Sequence, residues 1–388
     1  PVPLEVWENL NRREEPRTAG GKLRQSRVMW ASGAYFKWWQ SLAKADQALE
    51  VMKMTRTNIF SGGIFFAGHS QVRTKKMTTP KSIWNGPDVF KYFIKEAHAA
   101  GIAVMPSVDV ATGGSGWGGP QLLKEHPEWA AVDARGKPYT IRGTDVAYIA
   151  DLHRPGFRKY FINYLKDIAR RYDIDGITLD YIRIDKRSYS EYDRKDYHEQ
   201  TGRNLAADSF IKWEDDAVSA LVKGIREGLD SVRPGIKLST WGSDEPGSPS
   251  FQGRRPDIWL NKGWIDWFEI GVYGDNPDVA LRFWSRIARM VKRPECVWPT
   301  FGYYISHPAN AVPGTYVMTP KKNEFTGDSF YTSNQGLRKP EVLLPMYKAF
   351  RDQAGLHGFA FFDMSYLTRA MAEAYGRELF PEPAVPWY

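Results

Sequence analysis

The stretch FRKYFINYLKDIARRYDIDGITLDY, residues 157–181, decides the fold, because it contains one complete helix–strand unit. Its first half repeats apolar residues at intervals of three and four, which is the pattern of a single buried helix face. Those residues are Phe157, Tyr160, Phe161, Tyr164, Leu165 and Ile168. Its second half, residues 175–181, is a short apolar run that predicts a strand. A helix followed by a buried strand is typical of α/β folds.

The same alternation continues along the whole chain. Further strands are predicted at residues 27–31, 58–67, 102–110, 237–241, 267–273, 297–303 and 358–362, with helical periodicity between them. Eight strands that alternate with helices predict a closed (β/α)₈ (TIM) barrel, and the number of strands favours it over an open doubly wound sheet.

The barrel is expected to be one domain with short additions at its ends. We assign residues 26–380 to the barrel, residues 1–25 to an N-terminal extension and residues 381–388 to a Pro-rich C-terminal tail. Residues 308–340 form a long polar loop after the seventh strand, on the face where barrel active sites lie. Long loops at such places are usually functional.

Composition and charge narrow the class of protein. A hydrophobic fraction of 42% is typical of soluble globular chains, and no apolar run reaches the ~18 residues of a membrane span. No apolar signal segment opens the chain. The lone Cys296 excludes an intramolecular disulfide and is expected to be buried. The net charge of +8 favours an anionic glycan, whereas no Lys/Arg block indicates a nucleic-acid partner; Arg254-Arg255 is expected to lie in a solvated loop.

The fourth strand carries the best candidate for catalysis. Side chains of barrel strands alternate between the interior and the helix layer. Ile177 and Leu179 suit the helix layer, so Thr178 and Asp180 are expected to point inward. Asp180 then lies at the carboxyl end of its strand, where catalytic residues of barrels are found. The alternative is a structural salt bridge with Arg183.

A second carboxylate is needed, because glycoside hydrolysis usually uses two. Glu269 is expected to point inward, but it lies four residues below Tyr273, roughly 13 Å at the rise of a strand, so a buried ion pair is an alternative. Asp244 follows the fifth strand. The predicted catalytic set is Asp180, Glu269 and Asp244, and Asp109 remains an alternative partner.

Other side chains at strand ends are predicted to bind the substrate, since Trp and Tyr offer flat faces to sugar rings. This set consists of Trp30, His69, Asp109, Arg183, Trp241, Tyr273, Tyr303 and Asp363. No metal or cofactor is predicted. The seven histidines form no H-x-H or H-E-x-x-H pattern, and the glycine-rich residues 114–119 lack the βαβ unit of a dinucleotide site.

Five segments resemble the bacterial glycosyl hydrolase-like 10 family, within residues 26–305. They are residues 122–129 (LLKEHPEW), 151–155 (DLHRP), 172–183 (YDIDGITLDYIR), 233–239 (RPGIKLS) and 266–273 (DWFEIGVY). The strand-four segment is the most specific of them. The resemblance implies a barrel acting on a polysaccharide or oligosaccharide, with Asp180 at the reaction centre and Arg183 beside it. This sequence departs from the family's pattern at two positions. One is Asp109, where the family more often has Asn-Pro, and the other is Glu269.

We therefore expect a glycoside hydrolase that cleaves O-glycosyl bonds by two-carboxylate catalysis. Two alternatives stay open: a glycan-binding barrel without catalysis, which needs the aromatic residues but not two carboxylates, and a metal-dependent carbohydrate deacetylase. The expected location, secreted or periplasmic, follows from the substrate class. The sequence leaves the oligomeric state open.

Overall fold

A computed structural model describes residues 17–31, 38–66, 68–111, 121–140, 145–205, 211–243, 252–305, 320–322, 329–331 and 336–386. Eight parallel strands form a closed barrel in chain order, because the first strand pairs with both the second and the eighth. These strands are β1 (Ser26–Ala31), β2 (Ile59–Phe66), β3 (Ser107–Asp109), β4 (Gly176–Asp180), β5 (Lys237–Gly242), β6 (Trp267–Gly271), β7 (Val297–Gly302) and β8 (Gly358–Phe362). The predicted barrel is confirmed.

Helices surround the barrel. The longer ones are α1 (Leu42–Thr55), α2 (Val89–Ala99), α3 (Pro155–Arg171), α4 (Glu191–Thr201), α5 (Ile211–Asp230), α6 (Pro277–Ala288), α7 (Pro340–Lys348) and α8 (Arg369–Leu379). Short helices cover Lys81–Trp84, Gln121–Glu125 and Pro256–Asn261. None of the described helices has the length and apolarity needed to cross a membrane.

Apolar side chains form an outer and an inner layer. The outer layer, between strands and helices, includes the fully buried Ile177 and Leu179, as the parity of β4 predicts. The inner layer fills the barrel itself and includes Trp30, Trp267 and the buried Cys296. The interior is thus closed by packing, and only the carboxyl ends of the strands, here called the mouth, remain for a site.

Two details of the chain differ from the sequence-based expectations. The predicted third strand is interrupted, because Ala103–Val104 pairs with β2 separately from β3. Pro106, which lacks a backbone N–H, lies in the interruption. Helix α4 was not predicted, because Asp193 and Tyr197 are its only buried residues and no apolar stripe marks it. Its capping box, Ser190 with Asp193, was the available signal.

The predicted extension and tail meet beneath the amino ends of the strands, here called the floor. Leu23–Arg24 pairs in parallel with Ala384–Val385. The buried Arg27 guanidinium donates to the Glu382 carbonyl at 3.1 Å, and the Asn58 amide donates to the Ala384 carbonyl at 3.0 Å. Burial lowers the pKa of Arg27 to about 10. The tail therefore supplies acceptors to a buried charge.

The segment predicted as a long loop at 308–340 is described only in part. Two short antiparallel ladders are present, Tyr304–Ile305 with Gly336–Leu337 and Pro320–Lys322 with Ser329–Tyr331. Residues 306–319, 323–328 and 332–335 lie outside the described residues.

Candidate active site

Two aspartates meet at the mouth. Asp109 ends β3 and Asp180 ends β4, and the two residues are direct partners in the parallel register. Partners on neighbouring strands point to the same face, and the strands are about 4.8 Å apart. Both residues are half-buried. The structure therefore brings together the predicted catalytic residue Asp180 and Asp109, which was predicted mainly as a substrate-binding residue.

The two carboxyls influence one another's protonation. Burial, and then the negative charge of Asp180, raise the pKa of Asp109 well above its usual range, against the opposing effect of Arg183. Burial also raises the pKa of Asp180. The Tyr181 N–H, which donates to Asp180 at 2.7 Å, and the Arg183 and Arg254 guanidiniums oppose that rise. Such an environment favours a protonated Asp109 beside an ionised Asp180.

A tight turn after β4 holds Arg183 at this pair. Tyr181 has a φ of 47°, in the left-handed region that few non-glycine residues adopt. The Arg183 N–H donates to the Tyr181 carbonyl at 2.9 Å, and the guanidinium lies 4.6 Å from the Tyr181 ring centroid. Arg183 pairs with Asp185 at 2.6 Å rather than with Asp180. The alternative of an Asp180–Arg183 salt bridge is not observed.

Arg254 is a site residue that the sequence analysis missed. We expected Arg254-Arg255 in a solvated loop, but Arg254 is 1% exposed, and Arg255 pairs with Asp215 and Asp257. The positive charge of Arg254 lowers the pKa of Asp180. An arginine pair in a polar stretch of sequence has no periodic pattern that predicts burial. The burial of Arg254 beside the carboxyl pair is therefore visible only in the folded structure.

Glu269 lies inside the barrel below the mouth. It is fully buried, and its carboxylate accepts hydrogen bonds from Trp30 Nε1 at 2.7 Å, Trp267 Nε1 at 2.9 Å and Ser239 Oγ at 3.3 Å. Burial raises its pKa to about 7. Its predicted inward orientation is correct. Its predicted role as a direct catalyst does not fit, because a residue covered by two indoles is out of reach of a substrate.

Aromatic side chains line the mouth beside the carboxyl pair. Trp241 and Tyr273 are half-buried and stacked, with ring centroids 6.1 Å apart and planes at 21°. Phe362 lies 6.1 Å from Tyr273. Trp241 Nε1 is buried without a hydrogen-bond partner among the described residues. Flat faces of this kind can stack on sugar rings, and the substrate-binding role of Trp241 and Tyr273 stays a prediction.

Three predicted substrate-binding residues lie elsewhere. Trp30 is 2% exposed and holds Glu269. Tyr303 is fully buried in the outer layer, with its ring 4.8 Å from that of Tyr375. Asp363 is also fully buried and accepts the Ser365 N–H at 2.7 Å, so it caps a short helix. We correct these three assignments, because no sugar reaches such positions.

The remaining predicted residues are His69 and Asp244. His69 is half-buried just after β2, where it pairs with Phe66 in an antiparallel bridge. Asp244 lies outside the described residues, as do the glycine-rich residues 114–119. The described part of the candidate site therefore consists of Asp109, Asp180, Arg183, Arg254, Trp241 and Tyr273.

The fold and the site define a (β/α)₈-barrel protein with paired carboxyls at its mouth. The model of the glycosyl hydrolase-like 10 family matches residues 44–290, well over half of the chain. The protein belongs to this family, as the strand-four segment predicted. No curated protein matches the chain by sequence.

Solved structures with the same fold include several glycosidases. An α-L-fucosidase isoenzyme 2 from Paenibacillus thiaminolyticus matches with a TM-score of 0.58 and 16% identity, over 92% of this chain and 48% of its own. The PgaB (BpsB) glycoside hydrolase domain from Bordetella bronchiseptica matches with a TM-score of 0.59 and 11% identity, over 88% of this chain and 95% of its own. A β-galactosidase from Marinomonas ef1 matches with a TM-score of 0.57 and 14% identity, over 90% of this chain and 58% of its own. This chain thus spans about half of the fucosidase. At identities this low, the similarity shows the fold alone.

Proposed function

We propose that the protein is a glycoside hydrolase that cleaves an O-glycosidic bond in a polysaccharide or oligosaccharide. The observation that carries this proposal is the register pairing of Asp109 with Asp180 at the mouth. Family membership and the glycosidases that share the fold support it.

The two aspartates take different parts in the reaction. Asp109, whose pKa is raised most, is the general acid that protonates the leaving oxygen. Asp180, which faces Arg183 and Arg254, stays ionised and acts as base or nucleophile on the sugar carbon. Residues opposite each other on neighbouring strands are about 4.8 Å apart, so the two carboxyls can approach to the roughly 5 Å that is typical of retaining glycosidases. We therefore expect the first product to keep the anomeric configuration, which NMR of the fresh product would report.

Two features of the site position the substrate. Trp241 and Tyr273, whose rings are stacked on each other, offer their flat faces to sugar rings. The net charge of +8 favours an anionic glycan, so acidic polymers belong in any substrate panel. We also propose a secreted or periplasmic location, where polymers of this class are met; cell fractionation would test it.

The decisive experiment compares the wild type with Asp180→Asn and Asp109→Asn in the release of reducing ends from neutral and acidic polysaccharides. Loss of an acid or base typically lowers the rate by about 100-fold or more, so we expect at least that loss in each variant. Asp278→Asn, which changes an exposed carboxylate on α6, is the matched control and should keep full activity.

Other outcomes contradict the proposal in different ways. Full activity in Asp180→Asn would place the chemistry on another carboxylate. Glycan binding by the wild type without any release would favour the non-catalytic binding protein instead.

A further inference from the structure

A buried cluster of side chains lies at the edge of the mouth, apart from the carboxyl pair. Asp151 and His153 precede α3, and Asp193 lies in the first turn of α4. All three are at most 4% exposed. One ligand atom from each lies within 4.8 Å of the other two. The nearer contacts are 3.3 Å from His153 Nδ1 to Asp151 Oδ1 and 3.9 Å to Asp193 Oδ1.

The outward oxygens of both carboxylates already have donors. Asp151 Oδ2 accepts from Arg154 Nε at 3.1 Å, and Asp193 Oδ2 accepts from Ser190 Oγ at 2.6 Å. The His153 ring is stacked on Trp213, with centroids 3.5 Å apart, which fixes its orientation. Hydrogen bonds behind the ligand atoms orient metal-binding carboxylates in the same way, whereas stacking alone orients His153, whose Nε2 has no hydrogen-bond partner among the described residues.

The inward oxygen of Asp193 is unsatisfied. Asp193 is fully buried, yet its Oδ1 has no hydrogen-bond partner among the residues that the structure describes. A buried carboxylate oxygen without a donor is costly unless a cation or a proton compensates it.

We propose that Asp151, His153 and Asp193 bind one divalent transition-metal ion through Oδ1, Nδ1 and Oδ1. Ligand atoms of one ion at bonds of 2.0–2.2 Å lie roughly 3–4 Å apart, close to the 3.3 Å and 3.9 Å that separate His153 Nδ1 from the two carboxylate oxygens. One imidazole and two carboxylates suit Zn²⁺ or Mn²⁺, whereas Mg²⁺ and Ca²⁺ prefer oxygen ligands alone.

The ion has a structural role at this place. Ala150, next to Asp151, donates its N–H to the Ala111 carbonyl at 2.8 Å, two residues after Asp109. Asp193 belongs to the segment that follows Asp180. The ion therefore ties together the two segments that leave the carboxyl pair. Because its ligands are buried, it does not contact the substrate, so a metal-dependent deacetylase is not implied.

Zinc retention by the full chain tests the site, and it does not depend on glycosidase activity. The protein, free of any histidine tag, is dialysed against EDTA, incubated with ZnCl₂ and desalted before elemental analysis. We expect about one Zn²⁺ per chain and a rise in Tm with zinc that Mg²⁺ does not produce. Asp193→Asn and His153→Gln should each weaken retention by at least about tenfold.

The matched control removes two histidines outside the cluster, the exposed His98 and the half-buried His126, which lie beside carboxylates. His98 contacts Asp175 at 2.9 Å and His126 contacts Glu128 at 3.2 Å, so both pairs can bind zinc adventitiously. The double variant His98→Gln/His126→Gln should keep the ion and the Tm rise. If the cluster variants fail to fold, retention by this double variant still supports the buried site. No retention by the wild type, or its loss in the double variant, would overturn the proposal.

Discussion

At the scale of single residues, Glu269 shows how burial creates a pH dependence. Its pKa in the folded chain is about 7, against 4.5 for an exposed glutamate. Between these values the folded state binds more protons than the unfolded state, so stability decreases as pH rises from about 4.5 to 7. A shift of this size corresponds to about 3 kcal/mol.

Glu269→Gln removes this titration. As the pH rises from 4.5 to 8, we expect the free energy of unfolding of the variant to increase relative to that of the wild type by up to about 3 kcal/mol. Urea unfolding at both pH values measures it, with the exposed Glu373→Gln as control. A difference that is the same at both pH values would show that Glu269 does not titrate in this range.

Tyr303 offers a second test at this scale. Its hydroxyl is buried without a hydrogen-bond partner among the described residues, and burial raises its pKa well above the usual range. Tyr303→Phe removes an unsatisfied polar group, so we expect the free energy of unfolding to stay level or to rise by about 1 kcal/mol. Glycosidase activity should not change. A fall in activity would restore the earlier assignment of Tyr303 to the substrate site.

At the scale of elements, one glycine sets the contact between α1 and α8. A Cβ at Gly376 would overlap the Met54 carbonyl oxygen at the end of α1. Alanine is normally the better helix former by about 1 kcal/mol, but here it must push two backbones apart. We expect Gly376→Ala to lower stability by about 1–3 kcal/mol in chemical unfolding. The exposed Glu373→Ala on the same helix should have little effect; equal effects would mean that the contact is loose.

Periodicity predicted the strands and most helices, because each buries one face. The alternation of β4 also placed Asp180 correctly. The same alternation, applied to β7 and β8, would have sent Tyr303 and Asp363 to the helix layer, since Trp298 and Phe362 have the opposite parity. Arg254 and the Asp109–Asp180 register depend on how distant segments pack, and no local pattern encodes that.

At the scale of the whole molecule, the tail completes the floor of the barrel. Removing residues 382–388 takes away the Glu382 carbonyl that Arg27 donates to and the strand that pairs with Leu23–Arg24. Arg27 then keeps the Gln25 side chain and the Arg56 carbonyl as acceptors but loses the acceptor that both of its terminal nitrogens share, and a hydrogen bond to a charged group contributes about 1.5–3 kcal/mol.

We therefore expect the truncated chain to melt about 5 °C lower or more. Its activity at low temperature should be unchanged, because the floor is opposite the mouth. Removal of Pro386–Tyr388 alone keeps these contacts and serves as the control. Equal melting of the two truncated chains would show that the tail contributes little.

The pairing of Leu23–Arg24 with Ala384–Val385 also determines which way the mouth faces when the protein is attached to a support or to another module. Both segments leave the barrel on the floor side. A support or a fused module joined directly after Pro386 therefore lies on the floor side, and the mouth points away from it. A molecule coupled to a resin in this way would leave its mouth open to the polysaccharides that we propose as substrates.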